Sequence, residues 1–282
     1  MPLDLTGKWD CSINVEGVDR HFIVYQPSQV SDNKFPVVFM FHGTSGNGEK
    51  FYNISGWKEK ADREGFIAVF PSALRYCVDD KGKVVNTSKW NDGKLVHVAC
   101  KGQTLRDDVL FFREMVKYLK ADYDIDESRI YASGFSNGAN FVSRLTMEAS
   151  DILAATAMSA GYLQDTSFVG KQLIPSFLTV GNMEEKLRSD GRPLAVDRHA
   201  IQNPGLNGLV SRMLYKLELA SDYTFEQKPM MALYRFDKNT GAGKNIFQFA
   251  VIDSLPHRYP NGINHPLVMA DIFWDYFSQF KK

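Results

Sequence analysis

Six short apolar runs punctuate the chain without alternating with polar residues: 35–41 (FPVVFMF), 66–70 (FIAVF), 129–133 (RIYAS), 152–160 (ILAATAMSA), 176–180 (SFLTV) and 245–252 (NIFQFAVI). A strand with one wet face alternates apolar and polar side chains, whereas a strand covered on both faces reads as a nearly continuous apolar run. The runs therefore predict a mostly parallel sheet with helices packed on both faces. Helical periodicity fills the gaps, most clearly at Leu105, Val109, Phe112, Val116 and Leu119, which step along one face. A second helix opens with Asn203 as its cap and Pro204 at its first position, and runs through Leu206, Leu209, Met213 and Leu217. A third, with Met269, Ile272, Phe273, Tyr276 and Phe280 inward, closes the sequence. Before all of these, two alternating runs flank Glu16-Gly17-Val18-Asp19 and predict an N-terminal antiparallel hairpin. Strand alternating with helix gives one α/β domain across residues 1–282.

Charge narrows the partners. With 33 basic and 33 acidic side chains the formal net charge is zero, so bulk electrostatics favours neither nucleic acid nor an anionic membrane surface. No apolar run reaches the roughly 18 residues of a membrane helix, and the first residues, MPLDLTGKWD, lack the basic-then-apolar order of a signal peptide. Cys11, Cys77 and Cys100 are too few and too far apart for a zinc ribbon or a C-x-x-C redox site. Cys77 and Cys100 bracket a polar stretch and suit one disulfide in an oxidising compartment; three reduced thiols is the equal alternative.

The most informative short stretch is SGFSNGANF, 133–141. Gly134-Phe135-Ser136-Asn137-Gly138 fits G-x-S-x-G, in which glycines let the chain bend sharply from strand into helix and leave the serine hydroxyl exposed at the bend. A strand precedes it, and residues 139–149 suit the helix that must follow, whose free amides then face the serine. Ser136 is thus expected to be a nucleophile rather than a turn serine. The first sheet strand runs into FHGTSGNG, 41–48, and the loop 42–48 that it opens carries the Thr44 amide, which pairs naturally with the Asn137 amide as an oxyanion hole. The same loop has P-loop glycine spacing, but Glu49 stands where lysine is required and Phe51 cannot ligate magnesium.

Of six histidines, His257 in LPHRYPNG follows the last apolar strand on a proline-flanked loop and is expected to be the base. His265 is second; His42 is expected to brace its loop by hydrogen bonds; His21, His97 and His199 read as surface or packing residues. The orienting acid is expected after SFLTV, where Glu184 and Glu185 are adjacent; Glu184 is preferred, with Asp190 and Asp253 as outsiders.

Taken in order, FHGTSGNG, WNDG, RDDVLFFREMV, RIYASGFSNGANF, MSAG, FLTVGNMEE and HRYPNG resemble the polyhydroxybutyrate depolymerase and feruloyl esterase group of α/β-hydrolases over residues 10–280. The resemblance implies the α/β-hydrolase fold, a Ser, acid, His triad, no cofactor or metal, and a usually secreted or periplasmic carboxylesterase acting on small or polymeric esters. It places Ser136 at the nucleophile and His257 at the histidine of an H-x-W-P-G-like loop, with Tyr259 where tryptophan is usual. Glu184 falls where the family's G-x-x-D loop carries aspartate, the largest departure. Trp90 matches a segment that lies near the substrate cleft in relatives, so Trp90 is expected to bind substrate, with Trp57 and Tyr162 as further wall candidates and a Cys77–Cys100 disulfide as a pin on that wall. A catalytically silent binding module of the same fold, or acyl transfer or peptidase chemistry through the same residues, is the alternative.

Overall fold

A computed structural model of the protein describes residues 5–28, 34–80, 82–188 and 191–282. In chain order its elements are β1 (Gly7–Val15), β2 (Val18–Gln26), β3 (Phe35–Phe41), α1 (Gly48–Ile54), α2 (Trp57–Glu64), β4 (Ile67–Pro71), β5 (Arg75–Asp80), β6 (Lys83–Ser88) and α3 (Leu95–Val98). There follow α4 (Asp108–Asp122), β7 (Ile125–Phe135), α5 (Asn137–Glu148), β8 (Ala155–Ser159), β9 (Ser176–Gly181) and α6 (Pro204–Lys216). β10 (Thr224–Lys228), β11 (Met231–Phe236), β12 (Phe247–Ile252) and α7 (Met269–Phe277) complete the chain.

Among the described residues, ten strands form one sheet in the order β1-β2-β4-β3-β7-β8-β9-β12-β11-β10. The six central strands, β4 to β12 in that order, are mutually parallel. Antiparallel pairs flank them, β1 with β2 at one edge and β11 with β10 at the other. The predicted N-terminal hairpin is present, its turn made by Glu16 and Gly17 at φ 51° and 78°.

The unbroken apolar runs have the cause inferred for them. Along β3, Val37, Phe39 and Phe41 join one core while Val38 and Met40 join the other, and all are buried. Along β12, Phe247, Phe249 and Val251 face the first core and Ala250 and Ile252 the second. Helices α4, α5 and α6 cover the first face; α2 and α7 cover the second. Burying each such side chain contributes about 1.5–3 kcal/mol, so apolar residues dominate both sides of the central strands, and buried polar ones such as Thr156 and Ser176 are hydrogen-bonded to each other. β5 and β6 form a separate hairpin. A Cys77–Cys100 disulfide ties it to the segment after α3.

Helix ends follow the local chemistry. The side chain of Asn203 accepts hydrogen bonds from the amides of Gly205 and Leu206, capping α6 behind Pro204. Asp107 does the same for α4 through Val109 and Leu110, so that helix starts after Leu105, which packs instead in a small cluster with Tyr76 and Val78.

Candidate active site

Five loops leave the carboxyl ends of five neighbouring parallel strands, β3, β7, β8, β9 and β12, and so gather at one rim of the sheet. Ser136 follows directly on β7 as the N-cap of α5 and sits at φ 53°, ψ −119°, a region costing a non-glycine residue about 1–3 kcal/mol. The flanking glycines are sterically required. A Cβ on Gly134 would lie 2.4 Å from the Gly138 carbonyl oxygen, and one on Gly138 would lie 2.2 Å from that of Phe41. The tight bend lifts the half-buried Ser136 hydroxyl above the sheet at the N-terminus of α5.

The loops after β9 and β12 are laced together. The Asn182 amide donates to the Ile252 carbonyl at 2.8 Å, that of Met183 to the Leu255 carbonyl at 3.1 Å, and Asn182 Nδ2 to Asp253 Oδ1 at 3.0 Å. This lacing presents Glu184 and His257 as one unit. His257 Nδ1 lies 2.8 and 2.9 Å from the two oxygens of Glu184, and its Nε2 lies 2.8 Å from Ser136 Oγ. A carboxylate only accepts, so Nδ1–H donates to Glu184 and Nε2 is left to accept from the Ser136 hydroxyl. The Glu184 side chain is 6% exposed and that of His257 42%, so the acid is enclosed while the imidazole faces the solvent side. The Phe135 ring packs 5.2 Å from the His257 ring, and Tyr259 packs edge-on against Phe135.

The structure thus brings Ser136, His257 and Glu184 into one hydrogen-bonded line. It leaves Glu185 exposed at the start of a 3-10 turn, Glu185–Leu187. Asp253 is engaged with Asn182 and the Ser254 amide, and Asp190 lies outside the described residues. His265 spends both ring nitrogens on the backbone, Nε2 on the Asp253 carbonyl and Nδ1 on the Leu267 amide. His42 braces its loop: Nδ1–H donates to the Gly43 carbonyl at 2.7 Å, and Nε2 accepts from the Ala73 amide at 3.0 Å. Burial pushes its imidazole down to about 4, which keeps it neutral in this role.

Thr44 is exposed on the loop beside the serine; a Cβ on its neighbour Gly43 would lie 3.2 Å from Ser136 Cβ. Among the described residues, neither the Thr44 amide nor the Asn137 amide has an acceptor. The Asn137 side chain is fixed by Trp90, whose amide donates to Oδ1 at 2.7 Å, and by Asp92, which accepts from Nδ2 at 3.1 Å.

Trp90 departs from expectation. It is 0% exposed, stacks on Phe141 at 5.4 Å and donates its indole N–H to the His42 carbonyl at 2.9 Å. A ring so enclosed cannot touch a ligand; Trp90 lies behind the 42–48 loop and supports it. Trp57 is likewise fully buried. Tyr162 does line the cavity of about 300 Å³ beside Ser136 and His257, together with the first turns of α6.

Asp92 went unrecognised from sequence. It is 3% exposed and accepts from both Asn137 Nδ2 and Asn140 Nδ2, pinning the first turn of α5. The available signal was its place directly after Trp90-Asn91. The wall made by α6 was also missed, because a capped amphipathic helix carries no mark of what its end will face.

Comparison with known proteins agrees with this architecture. Poly(3-hydroxyalkanoate) depolymerase C of Paucimonas lemoignei is 28% identical over 126 residues, 45% of this chain and 28% of that protein. Feruloyl esterase B of Thermothelomyces thermophilus is 29% identical over 140 residues, 49% of this chain and 43% of that one. The matches span between 22% and 43% of the curated relatives' own lengths. An acetyl xylan esterase from Aspergillus awamori superposes with a TM-score of 0.58 at 14% identity, covering 96% of this chain and 99% of that chain, which identifies the fold as the α/β-hydrolase fold. Residues 20–169, which include β3, the 42–48 loop, the G-x-S-x-G bend and α5, match the family described as esterase PHB depolymerase, and the chain belongs to that family.

Proposed function

We propose that the protein is a carboxylic ester hydrolase working through an acyl-enzyme on Ser136. Ser136 Oγ attacks the ester carbonyl as its proton passes to His257 Nε2, and Glu184 holds the imidazole by Nδ1–H and stabilises the imidazolium that forms. The amides of Thr44 and Asn137 receive the oxyanion, a donor pair in which each member typically contributes about 2.7–4 kcal/mol to the transition state. The tetrahedral adduct collapses, His257 returns the proton to the departing alcohol, and the acyl group remains on Ser136. Water then enters, gives its proton to the same nitrogen, and releases the acid.

The observation that carries this reading is the continuous line Ser136 Oγ, His257 Nε2, His257 Nδ1, Glu184, with steps of 2.8–2.9 Å. It also weighs against the silent-module alternative, whose support was the glutamate in place of aspartate, since both oxygens lie within hydrogen-bond reach of Nδ1. Relatives named for feruloyl, acetylxylan and poly(3-hydroxyalkanoate) esters support short-acyl, feruloyl or polyester substrates for residues 1–282 acting as one catalytic domain. The Cys77–Cys100 disulfide supports an oxidising compartment, secreted or periplasmic. No helix among the described residues is long and apolar enough to cross a membrane.

The test is turnover of 4-nitrophenyl acetate and butyrate by the wild type and Ser136→Ala. A loss of about 10³-fold or more is expected; equal rates end the reading.

A further inference from the structure

The cavity beside Ser136 and His257 has an uneven charge. Two cationic side chains line it, Lys186 from the 3-10 turn after Glu184 and Arg212 from the third turn of α6. Among the described residues neither has a carboxylate within ion-pair distance. What distinguishes them is their place in the lining of the cavity that holds Ser136 and His257. The sole carboxylate in the lining is Glu184, already occupied by His257. Glu185, next in sequence to Lys186, is exposed and outside the lining. The N-termini of both α5 and α6 open on the same space through Ser136 and through Pro204 and Gly205, adding two positive dipole ends.

Resting on the esterase reading, we propose that the preferred substrate is an ester bearing a carboxylate a few bonds from the scissile carbonyl, with Lys186 and Arg212 as the specificity-determining residues. Lys186 and Arg212 are both exposed, and unpaired cations at a concave wall raise the local concentration of an anionic ligand and steer it to the site. Val180, Leu187 and Leu209 supply apolar wall in the same lining, which suits a short carbon spacer. The cavity, about 300 Å³, admits a single acyl or aryl unit of that kind. The carboxylate can belong to the acyl part or to the alcohol part, and the two are separable by experiment.

Mono-4-nitrophenyl adipate is compared with 4-nitrophenyl hexanoate for the acyl side, and 4-acetoxybenzoate with its methyl ester for the alcohol side. Each kcat/KM is measured for the wild type and for Lys186→Ala/Arg212→Ala. The expected result is that the charged-to-neutral ratio falls about tenfold in the double variant in one of the two pairs, and that added salt lowers the same ratio in the wild type. Turnover of the neutral esters reports that the variant has folded, and Arg212→Gln alone provides a milder second variant. Ratios unchanged within twofold in both pairs overturn the anionic class while leaving the esterase reading intact. Absence of Ser136-dependent turnover with all four esters overturns both.

Discussion

Ser136, His257 and Glu184 are each ordinary side chains made unusual by what holds them. The serine is strained by its own backbone, the histidine is seated on Phe135, and the glutamate is enclosed where its two oxygens meet one ring nitrogen. Glu184→Gln keeps the shape but presents a donor or a neutral acceptor to Nδ1 and no longer stabilises the imidazolium. It is expected to lower kcat by about 10³–10⁴-fold with little change in KM, whereas Glu185→Gln stays within about twofold. A steady-state assay on both variants checks this, and a larger loss at Glu185 would reverse the assignment. At this scale much was legible in the sequence, because G-x-S-x-G and the loops after apolar runs mark where chemistry can sit. Trp90 was legible as important and misread in kind: a motif position says that a ring is needed, not whether it faces a ligand or, as here, stacks on Phe141. Asp92 was silent because its role depends on α5 arriving 45 residues later in sequence, as its bond to Asn137 shows.

At the level of elements, loops are held by side chains reaching between them. His42 joins the loop after β3 to the segment after β4 through Gly43 and Ala73, and the end of β6 adds Ser88, whose hydroxyl donates to the Gly46 carbonyl at 2.6 Å. The neutral imidazole matters for stability. Its pKa is about 4 in the folded protein against 6.5 for the free group, so between those values the unfolded chain binds more protons. Stability is therefore full above about 6.5 and falls as pH drops toward 4, by about 2 kcal/mol at pH 5. Urea unfolding at pH 7 and pH 5 should show this drop, and His42→Gln, which has no proton to gain, should flatten it. An equal drop in both proteins would remove His42 as the cause. The central strands and the helices α4, α6 and α7 were readable from periodicity, since burial on one or both faces is written in the side chains themselves. β5, β6 and β10 were not, being polar and partly exposed, with register set by partners rather than by their own pattern.

For the whole molecule, the decisive fact is strand order. His257 leaves β12 and meets Ser136 at the end of β7, three strands away, a span of about 14 Å that β8 and β9 fill in between. That order comes from pairings between distant segments, which no local pattern in the sequence reveals. The Cys77–Cys100 disulfide closes a chain separation of 23 residues and staples the β5–β6 hairpin that supports the 42–48 loop through Ser88 and Thr87. Replacing both cysteines by serine is expected to cost about 3 kcal/mol in urea unfolding; an unchanged midpoint would make the staple dispensable. The central claim is that folding alone makes residue 136 a nucleophile. A fluorophosphonate probe followed by peptide mass analysis tests it most directly: the native protein should carry the adduct on Ser136, and the urea-unfolded chain and His257→Ala should carry little or none. A native protein left unlabelled, or labelled at another residue, would contradict the account.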